Sequence, residues 1–238
     1  MKNEYYYKAR LIPTVLTMIP LVVLYVYVIS PMVDKVLKPV WHLLPLLAGI
    51  SINVAVMFLL VLLNRFVSKK VFQNIIYQDE LYMPTTNYLM PDDNSLDKVT
   101  RNRYYDIILR DFNIDLKRNL RTLKGEKEKR IMITKVVALI RKMLVGNQML
   151  LQHNIEYGFW RNLLGGCVLA VIESIVLFVF AEINTNHAMI ATSVILFCVY
   201  LLPILFSKTL VKTHGQNYAK ILFEQYEAQS CVNKTNIV

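Results

Sequence analysis

An all-α, polytopic membrane protein is the fold class that this 238-residue sequence predicts, on three observations. Hydrophobic residues make up 55% of the chain, charged residues only 18%, and glycine occurs 7 times. Four apolar stretches approach the ~20 helical residues needed to cross a ~30 Å hydrocarbon core. Between them apolar residues recur at helical spacing, and no strand-like alternation persists.

The expected crossings are residues 11–30, 42–63, 163–181 and 188–206. They form an N-terminal hairpin region (1–64) and a C-terminal one (161–207), separated by a helical region (65–160) and followed by a tail (208–238). The first stretch is too long for a signal-peptide core and lacks a small-x-small cleavage site, so it is expected to stay as a span. Pro13, Pro20, Pro45 and Pro203 lie in or near the crossings. Neighbouring helices can satisfy the backbone groups that proline frees, so these prolines do not exclude a span.

Lys and Arg set the orientation. Lys2, Lys8 and Arg10 precede the first crossing, and Lys208, Lys212, Lys220 and Lys234 follow the last. Residues 181–187 carry neither residue type, and 31–41 carry only Lys35 and Lys38. Both termini and the region 65–160 are therefore expected on the cytoplasmic side. Trp41 and Trp160 are expected at opposite interfaces, where amphipathic rings are favoured.

The cytosolic region reads as helices. Phe66, Val67, Val71, Phe72, Ile75 and Ile76 extend the second crossing beyond the membrane. Residues 83–95 read as loop, with Ser95 capping a helix that carries Leu96, Val99, Tyr104, Ile107 and Ile108. A further helix over 126–145 carries Ile131, Val136, Val137, Ile140 and Leu144, and Gly146 interrupts it. The tail has a weaker helical pattern, broken at Gly215.

Glu173, in the middle of the third crossing, is the first candidate functional residue. Intramembrane carboxylates are costly and often line ion pathways. Gly166, Ala170, Glu173 and Leu177 share one helix face, and small residues there let a second helix approach. The carboxyl is thus expected to face protein or water. Asn53, with Ser51 and Gly49 near the middle of the second crossing, is its expected partner. One reading makes Glu173, Asn53 and Ser51 a pore or gate; the other makes Glu173 a neutral, hydrogen-bonded structural group.

The second candidate is the basic run 117–142, with ten Lys or Arg against Glu126 and Glu128. Such density attracts phosphates of nucleic acid or of anionic lipid. Arg101, Arg103, Lys117, Arg118, Arg121, Lys127, Lys129 and Arg130 are the expected contacts. The competing reading is topological: positive charge that orients the spans and solvates a helix face. Cys167, Cys198 and Cys231 have no metal or redox spacing, and neither do the scattered histidines. Asp79–Glu80 and Asp92–Asp93 match no metal-ligand motif and read as solvated loop charge. No nucleotide-binding or hydrolase motif occurs. No enzyme activity, cofactor or metal is expected.

One stretch is distinctive: Asn154, Tyr157, Gly158, Phe159, Arg161, Asn162, Leu163 and Gly165 in the pattern N-x-x-Y-G-F-x-R-N-L-x-G. With Pro84-Thr85-Thr86 and Arg103-Tyr104 upstream, it resembles a family of bacterial four-span proteins in which a cytosolic segment separates two hairpins. That resemblance extends to membrane effectors encoded beside nucleotidyltransferases in anti-phage systems, such as the Hailong type. It implies a bacterial inner-membrane location and an effector similar to an ion channel that oligonucleotides hold shut until infection. It further implies abortive infection on opening, and a nucleotidyltransferase or its oligonucleotide product as partner. A symmetric homo-oligomer, a tetramer, is expected because four thin spans suit a pore formed between subunits. Tyr157, Arg161 and Asn162 are the expected coupling residues where the cytosolic helix enters the bilayer. Arg161 and Asn162 are expected to bond headgroups or loops, with Tyr157, Gly158 and Phe159 packing on the extended second helix. A non-conducting scaffold that recruits a cytosolic enzyme is the alternative.

Overall fold

A computed structural model describes residues 2–29 and 46–235, with side chains for 3–28 and 54–232. Every regular element among the described residues is helical, with no strand. In chain order the longer ones and those near the N-terminus are α1 (Lys2–Tyr6), α2 (Ile12–Thr17), α3 (Ile19–Leu24), α4 (Leu46–Val67), α5 (Lys98–Phe112), α6 (Leu116–Thr122), α7 (Glu126–Met143), α8 (Gln148–Ile183), α9 (His187–Leu205) and α10 (Ser207–Thr235), with the short helices Asn74–Tyr77, Glu80–Tyr82 and Pro84–Asn87 between α4 and α5. Wider π-helical turns join α1 to α2 (Tyr7–Leu11), follow α3 (Tyr25–Ile29) and extend α4 (Ser68–Gln73).

Among the described residues two helices, α8 and α9, are long and apolar enough to cross a membrane. A third crossing results if Asn3–Thr17 and Ile19–Val28, bent by 41° at Met18, count as one broken span. The first expected crossing is therefore not a single straight rod. Pro20 cannot donate to the carbonyl four residues back, and proline at this position kinks a helix. The second expected crossing begins at residue 42, outside the described residues, and is helical from Leu46 onward. Trp41 also lies outside them. Trp160 lies within α8.

The chain divides into two compact units. The described residues of Lys2–Gln73 and Gly158–Val211 form one, and those of Asn74–Tyr157 and Lys212–Val238 the other. The first carries the candidate crossings. Between its polar ends many outward side chains are apolar, among them Val15, Phe58, Ile175, Val179, Ile195 and Leu202, as lipid contact requires. In the second unit, α5, α6, α7 and α10 enclose a core of Leu89, Ile108, Leu116, Ile140, Leu222 and Tyr226. Ile133, Val136, Val137 and Ile140 of α7 follow helical spacing and are all buried. Ile131 and Val99, expected inside, point outward.

Several local expectations are corrected. Asp97 rather than Ser95 caps α5, accepting from the Thr100 amide at 2.8 Å. Residues 83–95 are not wholly loop, because Pro84–Asn87 form a short helix. The tail is one continuous helix, and Gly215 does not break it. A Cβ at Gly215 would lie 2.4 Å from the Tyr77 hydroxyl, so the glycine serves a close approach. Gly146 does end α7, at a φ of +105° that favours glycine.

Candidate functional site

The site in the membrane-crossing unit begins with two prolines. Pro13 has no N–H for the Ala9 carbonyl, and Pro20 has none for that of Leu16. In a dry bundle each freed carbonyl needs a donor. Asn162 Nδ2 of α8 donates to Ala9 O at 2.6 Å. The Tyr200 hydroxyl of α9 donates to Leu16 O at 2.6 Å. The broken N-terminal helix is thereby gripped by two other helices.

Glycine brings the helices close enough for this. A Cβ at Gly165 would lie 2.1 Å from the Asn64 carbonyl oxygen, and one at Gly166 would lie 2.2 Å from Thr17 Oγ1. The close approach gathers polar side chains between α2, α4 and α8. Asn64 Nδ2 donates to Thr14 Oγ1 at 3.0 Å and to Thr17 Oγ1 at 3.4 Å. Ser68 donates to Asn162 Oδ1 at 3.4 Å. Asn64, Thr14, Thr17 and Asn162 are all buried.

Glu173 joins this group. With Thr14, Thr17, Met18, Leu60, Asn64, Gly166 and Leu169 it lines a cavity of about 10 Å³. Its Oε2 is buried and makes no hydrogen bond, and the Leu21 backbone amide approaches the same carboxyl. The expected face, with Gly166 and Glu173, is thus turned inward. The expected partners Asn53 and Ser51 belong to α4, but their side chains lie outside the described residues. Asn64, eleven residues and ~16 Å further along the helix, meets the cavity. The sequence does hold a signal for it: Asn64 and Ser68, four apart, put two polar groups on one helix face where the apolar stretch gives way to Arg65, Lys69 and Lys70.

The expected coupling residues separate. Asn162 does not face headgroups or loops; it is the inward grip on Ala9. Arg161 Nη1 donates to Gln73 Oε1 at 2.9 Å. Gly158 packs on α1, where a Cβ would lie 2.7 Å from the Tyr5 hydroxyl, and not on the extended second helix. Tyr157, in the other unit, is buried with its hydroxyl 4.0 Å from Met83 Sδ.

In the second unit the basic residues also sort into roles. Arg101 is buried and clamps the preceding loop, donating to the carbonyls of Tyr88 (3.2 Å), Pro91 (2.9 Å), Leu96 (2.9 Å) and Asp93. It nevertheless borders a cleft of about 170 Å³ with Lys98, Asn102, Tyr105, Lys117 and Arg121, and no acidic side chain lines that cleft. Burial pushes Tyr105 up to about 12, so it stays a neutral donor, bonded to Leu89 O at 2.7 Å. Lys129 and Arg130 border a different cavity with Asp92, Asp93 and Glu126. Arg130 is further held by Glu126 at 2.8 Å, by Asn87 at 2.7 Å and over the Tyr82 ring. Arg103 pairs with Glu227, while Arg118 and Lys127 are exposed. The structure thus brings Lys117 and Arg121 together and adds Lys98, which the sequence reading missed because it lies nineteen residues before Lys117, outside the basic run.

Among the described residues no group of His, Cys, Asp or Glu is arranged to hold a metal ion. Comparison of the chain with protein families, curated proteins and solved structures finds no match.

Proposed function

We propose that the chain is one subunit of an oligomeric ion channel or pore, a membrane effector of bacterial anti-phage defence. In this reading it has four crossings in the inner membrane, with both termini and the basic helical unit in the cytoplasm. A nucleotide, an oligonucleotide or a partner protein acts on the basic unit, and opening depolarises the cell. A tetramer supplies the closed symmetry. One observation carries the channel reading: a carboxyl with an unpartnered oxygen sits among Thr14, Thr17 and Asn64 inside a unit built from membrane-length helices. The defence role rests on the N-x-x-Y-G-F-x-R-N-L-x-G resemblance. The acid-free cleft of Lys98, Lys117 and Arg121 supports recognition of a phosphate-bearing ligand.

Planar-bilayer recording tests the channel. The wild-type chain is expected to conduct, and Glu173→Gln to change conductance or open probability about tenfold or more, as loss of a pathway charge does. A silent wild-type chain, or a Gln variant with unchanged currents, removes this function for Glu173. The scaffold reading is favoured by a specific observation: Glu173 faces its own subunit's helices, where a purely structural carboxyl would also sit. Under that reading no current appears, and the basic unit retains a cytosolic enzyme in pull-downs.

A further inference from the structure

The cavity at Glu173 has the donors and the charge of a cation site. The Thr14 hydroxyl gives its proton to Arg10 O at 2.9 Å, and the Thr17 hydroxyl gives its own to Pro13 O at 3.0 Å. With their protons committed to backbone, both oxygens turn lone pairs outward. Asn64 Nδ2 takes one from each, and a hydroxyl oxygen has two. Asn64 therefore positions the threonines without exhausting them. Glu173 contributes Oε2, buried and without a hydrogen-bond partner. Thr14 and Thr17 are 1% and 4% exposed, so bulk water does not serve them.

No Lys, Arg or His lines the cavity to balance the carboxylate. Four elements reach it. α2 and the break after it supply Thr14, Thr17 and Met18, α4 supplies Leu60 and Asn64, α8 supplies Gly166, Leu169 and Glu173 itself, and α3 brings the Leu21 amide to the Glu173 carboxyl. The titratable groups within electrostatic reach, Tyr200 of α9 and Cys167 of α8, are neutral or negative. The cavity also lies where the N-terminal helix breaks, after Thr17. At about 10 Å³ the space admits one species of water size and excludes a hydrated ion.

We propose that this cavity is a binding site for one dehydrated alkali cation of Na⁺ size. Its ligands are Glu173 Oε2, Thr14 Oγ1 and Thr17 Oγ1. The site deepens the reading of Glu173 given above and rests on it for the location in a bilayer, but it does not require conduction.

The test uses the full chain in phosphatidylcholine nanodiscs at fixed pH and ionic strength. Choline chloride is replaced stepwise by NaCl or KCl, and the thermal unfolding midpoint is read. Na⁺ is expected to raise the midpoint saturably by about 5 °C, and more than K⁺ does. Thr17→Val and Glu173→Gln are each expected to abolish most of that shift, whereas Glu182→Gln, outside the cavity, keeps it. If Glu173→Gln does not fold, Thr17→Val alone decides. Equal midpoints in choline and Na⁺, or a Na⁺ shift that survives in Thr17→Val, overturn the site. So does a Glu173-dependent response to pH that ignores cation identity, which assigns the carboxyl to a proton. Because the readout is stability, a Na⁺ shift in a silent protein keeps the site and removes the channel. Currents without a shift do the reverse.

Discussion

At the scale of single residues, the membrane-crossing unit is held by polar contacts in an apolar setting. Asn162 illustrates this. Its amide donates to the carbonyl that Pro13 frees and accepts from Ser68. Asn162→Leu keeps comparable volume but strands both groups, and is expected to cost about 1–3 kcal/mol in detergent unfolding. Gly165→Ala puts a methyl 2.1 Å from backbone rather than from a movable side chain. It is expected to destabilise by about 1–3 kcal/mol, as overpacking does. Gly125→Ala is the control, since its nearest contact, a Glu128 side-chain carbon at 3.4 Å, is flexible. Equal midpoints for the two alanine variants would mean that α4 and α8 do not meet at Gly165. Tyr200→Phe removes only the donor to Leu16 O, so its loss is expected to be smaller, about 1 kcal/mol.

At the scale of elements, the second unit joins α8 to α10 through ionisable side chains. Glu156 of α8 lies 3.6 Å from His153 and 3.9 Å from His214 of α10. Burial holds His214 below its usual value, against the pull of Glu156 and together with the repulsion of His153. The folded unit thus takes up a proton less readily than the unfolded chain. Stability linked to His214 is full above pH ~6.5 and falls as the pH drops toward the depressed folded value. Denaturation midpoints between pH 7.5 and 5.5 are expected to decline, and His214→Gln to flatten the decline. An unchanged slope would assign the acid sensitivity elsewhere. Asp97 has the same sign from a different cause. Its hydrogen bonds to Thr100 hold the carboxyl below the usual range, so the cap of α5 is lost only in stronger acid.

At the scale of the whole molecule, the cysteines test how the chain lies in a bilayer. Cys167 is buried, while Cys198 on α9 and Cys231 on α10 are exposed. Exposure on α9 is exposure to lipid in the proposed arrangement, and exposure on α10 is exposure to cytosol. A charged maleimide is expected to label Cys231 in inside-out vesicles and not in right-side-out ones. Cys198 is expected to react only with a membrane-soluble reagent. Labelling of Cys231 from outside would reverse the topology, placing the Lys98, Lys117 and Arg121 cleft beyond the reach of a cytosolic ligand.

Helix content, and two or three of the four expected crossings, were legible in the sequence because both depend on local properties. Transfer of about twenty apolar residues into lipid is additive along the chain, and the 3.6-residue period of α7 shows in a single stretch. The inward turn of Glu173 was also legible, from Gly166 and Ala170 on its face. Which polar groups meet there was not. Asn53 and Asn64 lie on one apolar helix, and hydrophobicity on every side conceals both its rotation and its register against α8. Packing at Gly165 and Gly166 brings Asn64 to the cavity, while the side chain of Asn53 lies outside the described residues. The basic residues show the same division: charge density marks a phosphate-attracting region, but backbone carbonyls of a folded loop claim Arg101, and the crossing of α5 and α6 joins Lys98 to Lys117 and Arg121. Local composition and period made the α8 and α9 crossings and the buried face of α7 readable in advance, but not the unbroken helix through Gly215. Tertiary structure decided which side chains share a cavity, since that depends on the relative rotation of helices distant in the chain.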